Sequence, residues 1–213
     1  MGIHSHPHFK DPLLKWWPSK GRLIVFDLEY TAWDGSWQRA WSEPWEHREI
    51  VQIGAVLVDV SQDFATVDKY SRFVRPTHNP ELSDYFISLT GISQQTVNRE
   101  GIPFSQAYEE FLSFSGETNL FFSNGLDGEV LRENCHLNGI EYQLQLGSVV
   151  NIRAALARAI SSVVGRELGS VDSGDLVRTL EINASHSGNK HDALADAEGI
   201  VLALRALREI SAI

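Results

Sequence analysis

A single cysteine, Cys135, among 213 residues leaves no partner for an internal disulfide and suits a reducing compartment. No apolar run approaches the ~18 residues of a membrane span, and the longest, residues 50–58, is interrupted by Gln52. The opening MGIHSHPHFKDP lacks the apolar core of a secretory signal. These absences lead to the expectation of a cytoplasmic protein with no membrane contact. Basic residues are also scarce, with 18 Lys and Arg against 28 Asp and Glu and a net charge of −10. Such a balance weighs against tight, sequence-independent binding along duplex DNA, which relies on many cation–phosphate contacts. It leaves room for an enzyme that grips only a strand end.

What is present reads as one α/β domain. Residues 1–19, with His4, His6 and His8 and no periodicity, read as a flexible N-terminal tail or a surface strap, and 20–213 as a single domain. RLIVFDLE is an apolar strand, EIVQIGAVLVDV a second, and TVDKYSRFVRP a third ended by Pro76. Their close succession predicts an antiparallel three-strand meander. Helical periodicity follows in ELSDYFISLTGI, PFSQAYEEFLSFSG, DGEVLRENCHLNGI, IRAALARAISSVVG and DSGDLVRTLEI, with a last helix from about Asp192 to Ile210. NLFFS and SVVNI are short strands between helices. The sum is a mixed five-stranded sheet flanked by helices, with the first strand central because it is apolar on both faces.

Two acids end that first strand. Residues i and i+2 of a strand share a face, so Asp27 and Glu29 project together where the strand leaves the core. Bare carboxylates that close repel, and burial adds several kcal/mol unless a cation sits between them. A hard divalent ion with oxygen ligands, Mg²⁺ or Mn²⁺, resolves the conflict most simply; solvation or pairing with Arg or Lys is the alternative. Asp127 opens a helix after the strand LFFS, on the side where such sheets bind ligands. Asp196 lies among small residues on the last helix, whereas Asp192 reads as its wet face. His191 precedes Asp196 by five residues, which on a continuous helix would point them about 140° apart. They converge only if His191 sits before the helix proper, and there it suits a general base.

Asp27-x-Glu29, Asp127, and His191 with Asp196, in that order, resemble the DEDDh pattern of the DnaQ-like 3′→5′ exonucleases. The segment VRPTHNPELSDYFISLTGIS is most similar to the ERI-1-like group, and Asn124 stands in SNGLDGEVL where relatives often carry glycine. The resemblance implies a ribonuclease H-like fold and hydrolysis of single-stranded RNA or DNA from the 3′ end, with RNA slightly favoured. It implies two Mg²⁺ or Mn²⁺ ions on Asp27, Glu29, Asp127 and Asp196, and His191 as general base. It also names Tyr30 and Thr31, just past the first motif, as contacts to the terminal sugar. Single-stranded 3′ ends are the expected partner, and a homodimer is left open. Two alternatives stand beside this reading: oligoribonuclease-like degradation of very short strands, and a regulatory binding protein on the same fold.

All six tryptophans fall before residue 46. Trp33, nearest the first motif, is read as a stacking platform for the terminal base; Trp37, Trp41 and Trp45 are read as folding their loop onto the body. Lys190, beside His191, is the candidate phosphate contact.

Overall fold

A computed structural model describes residues 17–182 and 191–213. Most of the expected tail, with its histidines, and Lys190 therefore lie outside the described residues. The five strands are β1 (Arg22–Tyr30), β2 (Ile50–Asp59), β3 (Ala65–Phe73), β4 (Phe121–Ser123) and β5 (Val149–Asn151). They form one sheet in the order β3-β2-β1-β4-β5. β1 pairs antiparallel with β2 and parallel with β4, so the meander and the central first strand are both present.

Seven consecutive residues of β1, Leu23 to Glu29, are buried, because both sheet faces are covered. Ile24, Phe26 and Leu28 face the layer of α3 (Phe104–Ser115) and α4 (Asp127–Leu137), where Phe111, Tyr108, Val130 and Leu131 pack on them. Leu23 and Val25 face α5 (Arg153–Val164) and α7 (Ala193–Glu209), against Leu156, Ile160, Ile200 and Leu204. The two-residue period of the strand carries this second face on to Asp27 and Glu29. The acids therefore emerge on the side of α7, near its N-terminal end.

The approach of α7 to the sheet depends on two residues of β2. Gly54 stands opposite Asp27, and Gln52 opposite Glu29. A Cβ on Gly54 would lie 2.1 Å from the backbone of Ala193 and Leu194. Gln52 accepts from the Ala193 N–H at 3.1 Å and donates to the Asp192 carboxylate at 3.0 Å. Asp192 itself caps α7, accepting from the Ala195 N–H at 2.9 Å. It is the helix N-cap tied to the sheet, a correction to its reading as a wet face.

Three further differences are local. α1 (Asp84–Thr90), capped by Ser83, lies in the expected ELSDYFISLTGI segment, but a second helix, α2 (Gln94–Glu100), capped by Ser93, was not resolved by periodicity. Val97 is its one buried residue, too little for a period, and it packs with Val51, Leu82, Phe86 and Ile92. The expected DSGDLVRTLEI helix is a 3₁₀ turn, Ser173–Asp175, followed by the single turn α6 (Leu176–Thr179). Trp17 and Pro18, inside the stretch read as tail, are attached to the body. Trp17 is buried edge-on against Phe122, and Arg208 donates to the Pro18 carbonyl.

Candidate active site

Asp27, Glu29, Asp127 and Asp196 are each no more than 8% exposed, and all four line one cleft of about 570 Å³ together with His191. Four elements deliver them. β1 presents Asp27 and Glu29. The turn after β4 brings Asp127 to the first position of α4, where the Leu28 N–H donates to its Oδ1 at 3.2 Å. The first turn of α7 carries Asp196. His191 precedes the Asp192 cap in a left-handed backbone conformation, φ 65°. The break in helical geometry needed to aim His191 and Asp196 at one place is thus present. Donor atoms of Glu29, His191 and Asp196 lie within 4.8 Å of one another.

The electrostatics of this cleft are strained. Burial pushes the Asp27 carboxyl well above the usual range, and the neighbouring charges of Asp127, Glu29 and Asp196 push it further, against a lowering hydrogen bond from Ser173. Glu29 is raised for the same reasons, by burial and then by Asp196, Asp127 and Asp192. Asp127 rises to about 6, chiefly by burial, despite the N–H groups that favour its charged form. Oxygen donors gathered at this density and left mutually repelling fit a divalent cation.

The sign of the pH dependence follows. Each acid holds its proton in the metal-free fold after the unfolded chain has released it. Its contribution is therefore greatest below the ordinary carboxylate pKa and is lost as pH rises through the folded value. For Asp127 that window runs from 3.8 to about 6, a loss on the order of 3 kcal/mol. A bound cation cancels the loss. The melting-temperature gap between Mn²⁺-treated and EDTA-treated protein is expected to widen from about pH 5 to about pH 8, and a gap independent of pH would contradict the arrangement.

A sequence model described as exonuclease, of the RNase T type, matches residues 24–204. The chain belongs to this exonuclease family. The Schizosaccharomyces pombe 3′-5′ exonuclease eri1 is 37% identical over 92 residues, 43% of this chain and 28% of that protein. The human 3′-5′ exoribonuclease 1 is 25% identical over 197 residues, 88% of this chain and 52% of that protein. Both relatives thus extend well beyond the matched stretch. Among solved structures, the nuclease domain of 3′hExo, a DEDDh family member bound to rAMP, superposes with a TM-score of 0.67 at 22% identity, covering 88% of this chain and 92% of that one. Cell-death related nuclease 4 gives a TM-score of 0.71 at 19% identity, covering 89% and 64%. These neighbours share the ribonuclease H-like mixed sheet with this exonuclease-family chain.

The remaining sequence-named residues divide. Tyr30 lines the cleft. Thr31 is buried, and its hydroxyl is spent on the chain at the other end of the tryptophan loop, donating to the His47 carbonyl and accepting from the Glu49 N–H. It holds the loop base and is not among the residues that line the carboxylate cleft. Trp33 packs edge-on against Trp45 at 4.8 Å and is not part of the cleft wall. Trp37 and Trp41 are, although Trp41 also ties the loop to the body as expected, donating to the Thr31 carbonyl. Ala40 and Trp41 are both left-handed at φ 52° and turn the chain there.

Asn124, Arg153, Asp172 and Ser173 line the cleft without having been assigned to it from the sequence. Ser173 donates to Asp27 Oδ1 at 3.1 Å, and Asn124 in turn donates to Ser173 Oγ at 3.3 Å and to the Val171 carbonyl at 2.8 Å. The departure from glycine at Asn124 therefore links the turn after β4 to a carboxylate ligand candidate. Arg153 lines the same cleft, ion-paired with Asp172 and donating to the Asn124 carbonyl. Lys69, Arg72 and Arg75 serve elsewhere: Lys69 pairs with Glu198, Arg72 with Glu110, and Arg75 donates to the Gly101 carbonyl.

Proposed function

We propose that this protein is a metal-dependent 3′→5′ exonuclease that removes nucleoside 5′-monophosphates from single-stranded ends, with RNA slightly preferred to DNA. The observation that carries the reading is the convergence of four buried acids and one histidine, from distant parts of the sequence, on a single cleft. Nothing in packing the sheet calls for that set, and a fold without a cation would be more stable with fewer of them.

Asp27, Glu29, Asp127 and Asp196 would hold two Mg²⁺ or Mn²⁺ ions. Ions there supply Lewis acidity toward the phosphate and a lowered pKa for water. The chain's own groups do the rest. His191, half-buried beside Glu29 and Asp196, accepts the proton of the attacking water. Ser173 fixes the rotamer of Asp27 through its hydrogen bond, and the Leu28 N–H does the same for Asp127. Tyr30, on the cleft wall next to Glu29, borders the terminal nucleotide.

The test is incubation with 5′-labelled single strands of RNA and DNA in Mn²⁺, Mg²⁺ or EDTA. Stepwise shortening from the 3′ end that EDTA stops is the expected result. Absence of cleavage at every length and with either sugar would overturn the reading and favour a binding role. Activity confined to strands of a few nucleotides would move it to the oligoribonuclease-like class. His191→Ala is expected to lower turnover roughly 10²–10⁴-fold, with the Mn²⁺-induced rise in melting temperature largely kept. Loss of that rise would make the histidine a metal ligand instead.

A further inference from the structure

We propose that Trp37 and Trp41 form a stacking ridge for an unpaired nucleobase upstream of the nucleotide being cleaved, an assignment that rests on the nuclease reading above. Trp41 lies in the wall of two hollows at once. One is the cleft of the carboxylates, and the other is a depression of about 530 Å³ containing Arg48, Arg132, His47 and His136. A strand whose 3′ end lies at the carboxylates and whose body continues into the second hollow passes over this ring.

The ridge is built rigidly. The Trp41 indole N–H donates to the Thr31 carbonyl at 3.0 Å, Tyr30 packs on its ring at 5.6 Å, and the Arg48 guanidinium sits 5.6 Å from its centroid. Trp37 stands edge-on to Trp41 at 5.2 Å, yet 56% of it remains exposed. An indole left open to water on a cleft rim is what a stacking partner requires and what a core residue avoids.

The loop beneath is held in a conformation it would not adopt unaided. Ala40 and Trp41 are consecutive left-handed residues with side chains, and such backbone persists only where its surroundings enforce it. The enforcing group is Glu46, whose side chain is fully buried. It is ion-paired with Arg39 and accepts from the Ser36 hydroxyl at 2.8 Å, while the Trp41 N–H bonds to the Ser36 carbonyl at 3.0 Å. The left-handed pair thus turns the chain so that both rings stand on the cleft rim.

The second hollow also explains why stacking is the means of grip. Arg48 is ion-paired with Glu133, and Arg132 lies over the Tyr142 ring, with Glu46 and Glu129 alongside. Its charge is largely balanced, so it attracts phosphate weakly. Base faces on indole rings hold a strand whatever its sequence.

The experiment is a fluorescence titration of wild type, Trp37→Ala and Trp37→Phe, with Ca²⁺ present to neutralise the carboxylates. The probes are thymidine 5′-monophosphate and single-stranded oligothymidylates of two to six nucleotides, with oligouridylates in parallel. Trp37 is mostly exposed, so its replacement spares the fold. For strands of three or more nucleotides, Trp37→Ala is expected to weaken binding roughly 10-fold or more, with Phe restoring most of the loss. Mononucleotide affinity is expected to stay within about twofold, because that ligand does not reach the ridge. Unchanged strand affinity would overturn the proposal, and so would equal loss on mononucleotide and strand, which would assign Trp37 to the terminal nucleotide. Wild-type strand binding without any cleavage in Mn²⁺ would sink the nuclease reading while leaving the ridge standing.

Discussion

Asp27→Asn is expected to abolish strand cleavage while making the metal-free protein more stable. The carboxylate it removes is buried among Glu29, Asp127 and Asp196, all of which raise its pKa. Asparagine is nearly isosteric and still accepts the hydrogen bond from Ser173. Relief of repulsion should therefore exceed any loss of packing. A gain of roughly 1–3 kcal/mol, the usual cost of a poorly compensated buried polar group, corresponds to about 2–12 °C in a chain of this size. Activity should fall roughly 10³-fold or more, as for members of a catalytic set that act as a unit. The stabilisation by Mn²⁺, about 2.7 kcal/mol at a hundredfold excess over Kd, should shrink sharply. The checks are melting curves in EDTA and in Mn²⁺ beside a cleavage assay. A lower metal-free melting temperature would mean that Asp27 serves the fold.

Gly54→Ala should act on the same site from the opposite strand. Its added methyl would fall 2.1 Å from the backbone of Ala193 and Leu194, atoms that no rotamer change can move. The start of α7 must lift from β2, breaking the Gln52 clamp and carrying Asp196 and His191 away from Glu29. Overpacking of this kind costs about 1–3 kcal/mol or more, or about 2–12 °C. A displacement near 1 Å in a reacting group lowers rate about 10²-fold. Gly169→Ala is the control, because nothing lies within 4 Å of that position, and it should be neutral in both melting and cleavage. Near-native cleavage by Gly54→Ala would show that the helix tolerates displacement.

The acids were legible in the sequence for a physical reason. Alternation along β1 is strict, so two carboxylates at i and i+2 had to share a face, and the order of Asp127, His191 and Asp196 supplied the rest. Gln52 and Gly54 were illegible because their meaning is non-local. Gln52 looked like a defect in an apolar run until Asp192, 140 residues later, was seen to bond to it. Ser173 sits 146 residues from Asp27, with no local pattern to connect them. The tryptophans misled through a different cause. Which ring reaches the cleft depends on the path of the loop, and the left-handed pair Ala40 and Trp41 that bends it has no local signature in the sequence.

The clamp between β2 and α7 has a consequence for biogenesis. The sheet can pair its first three strands as soon as they are made, whereas Asp196 arrives on the last helix of the fold. A chain still being translated thus presents Asp27 and Glu29 without Asp196, the acid that completes the cleft. The candidate site is therefore incomplete until synthesis has passed the helix, a timing set by the polypeptide's own order.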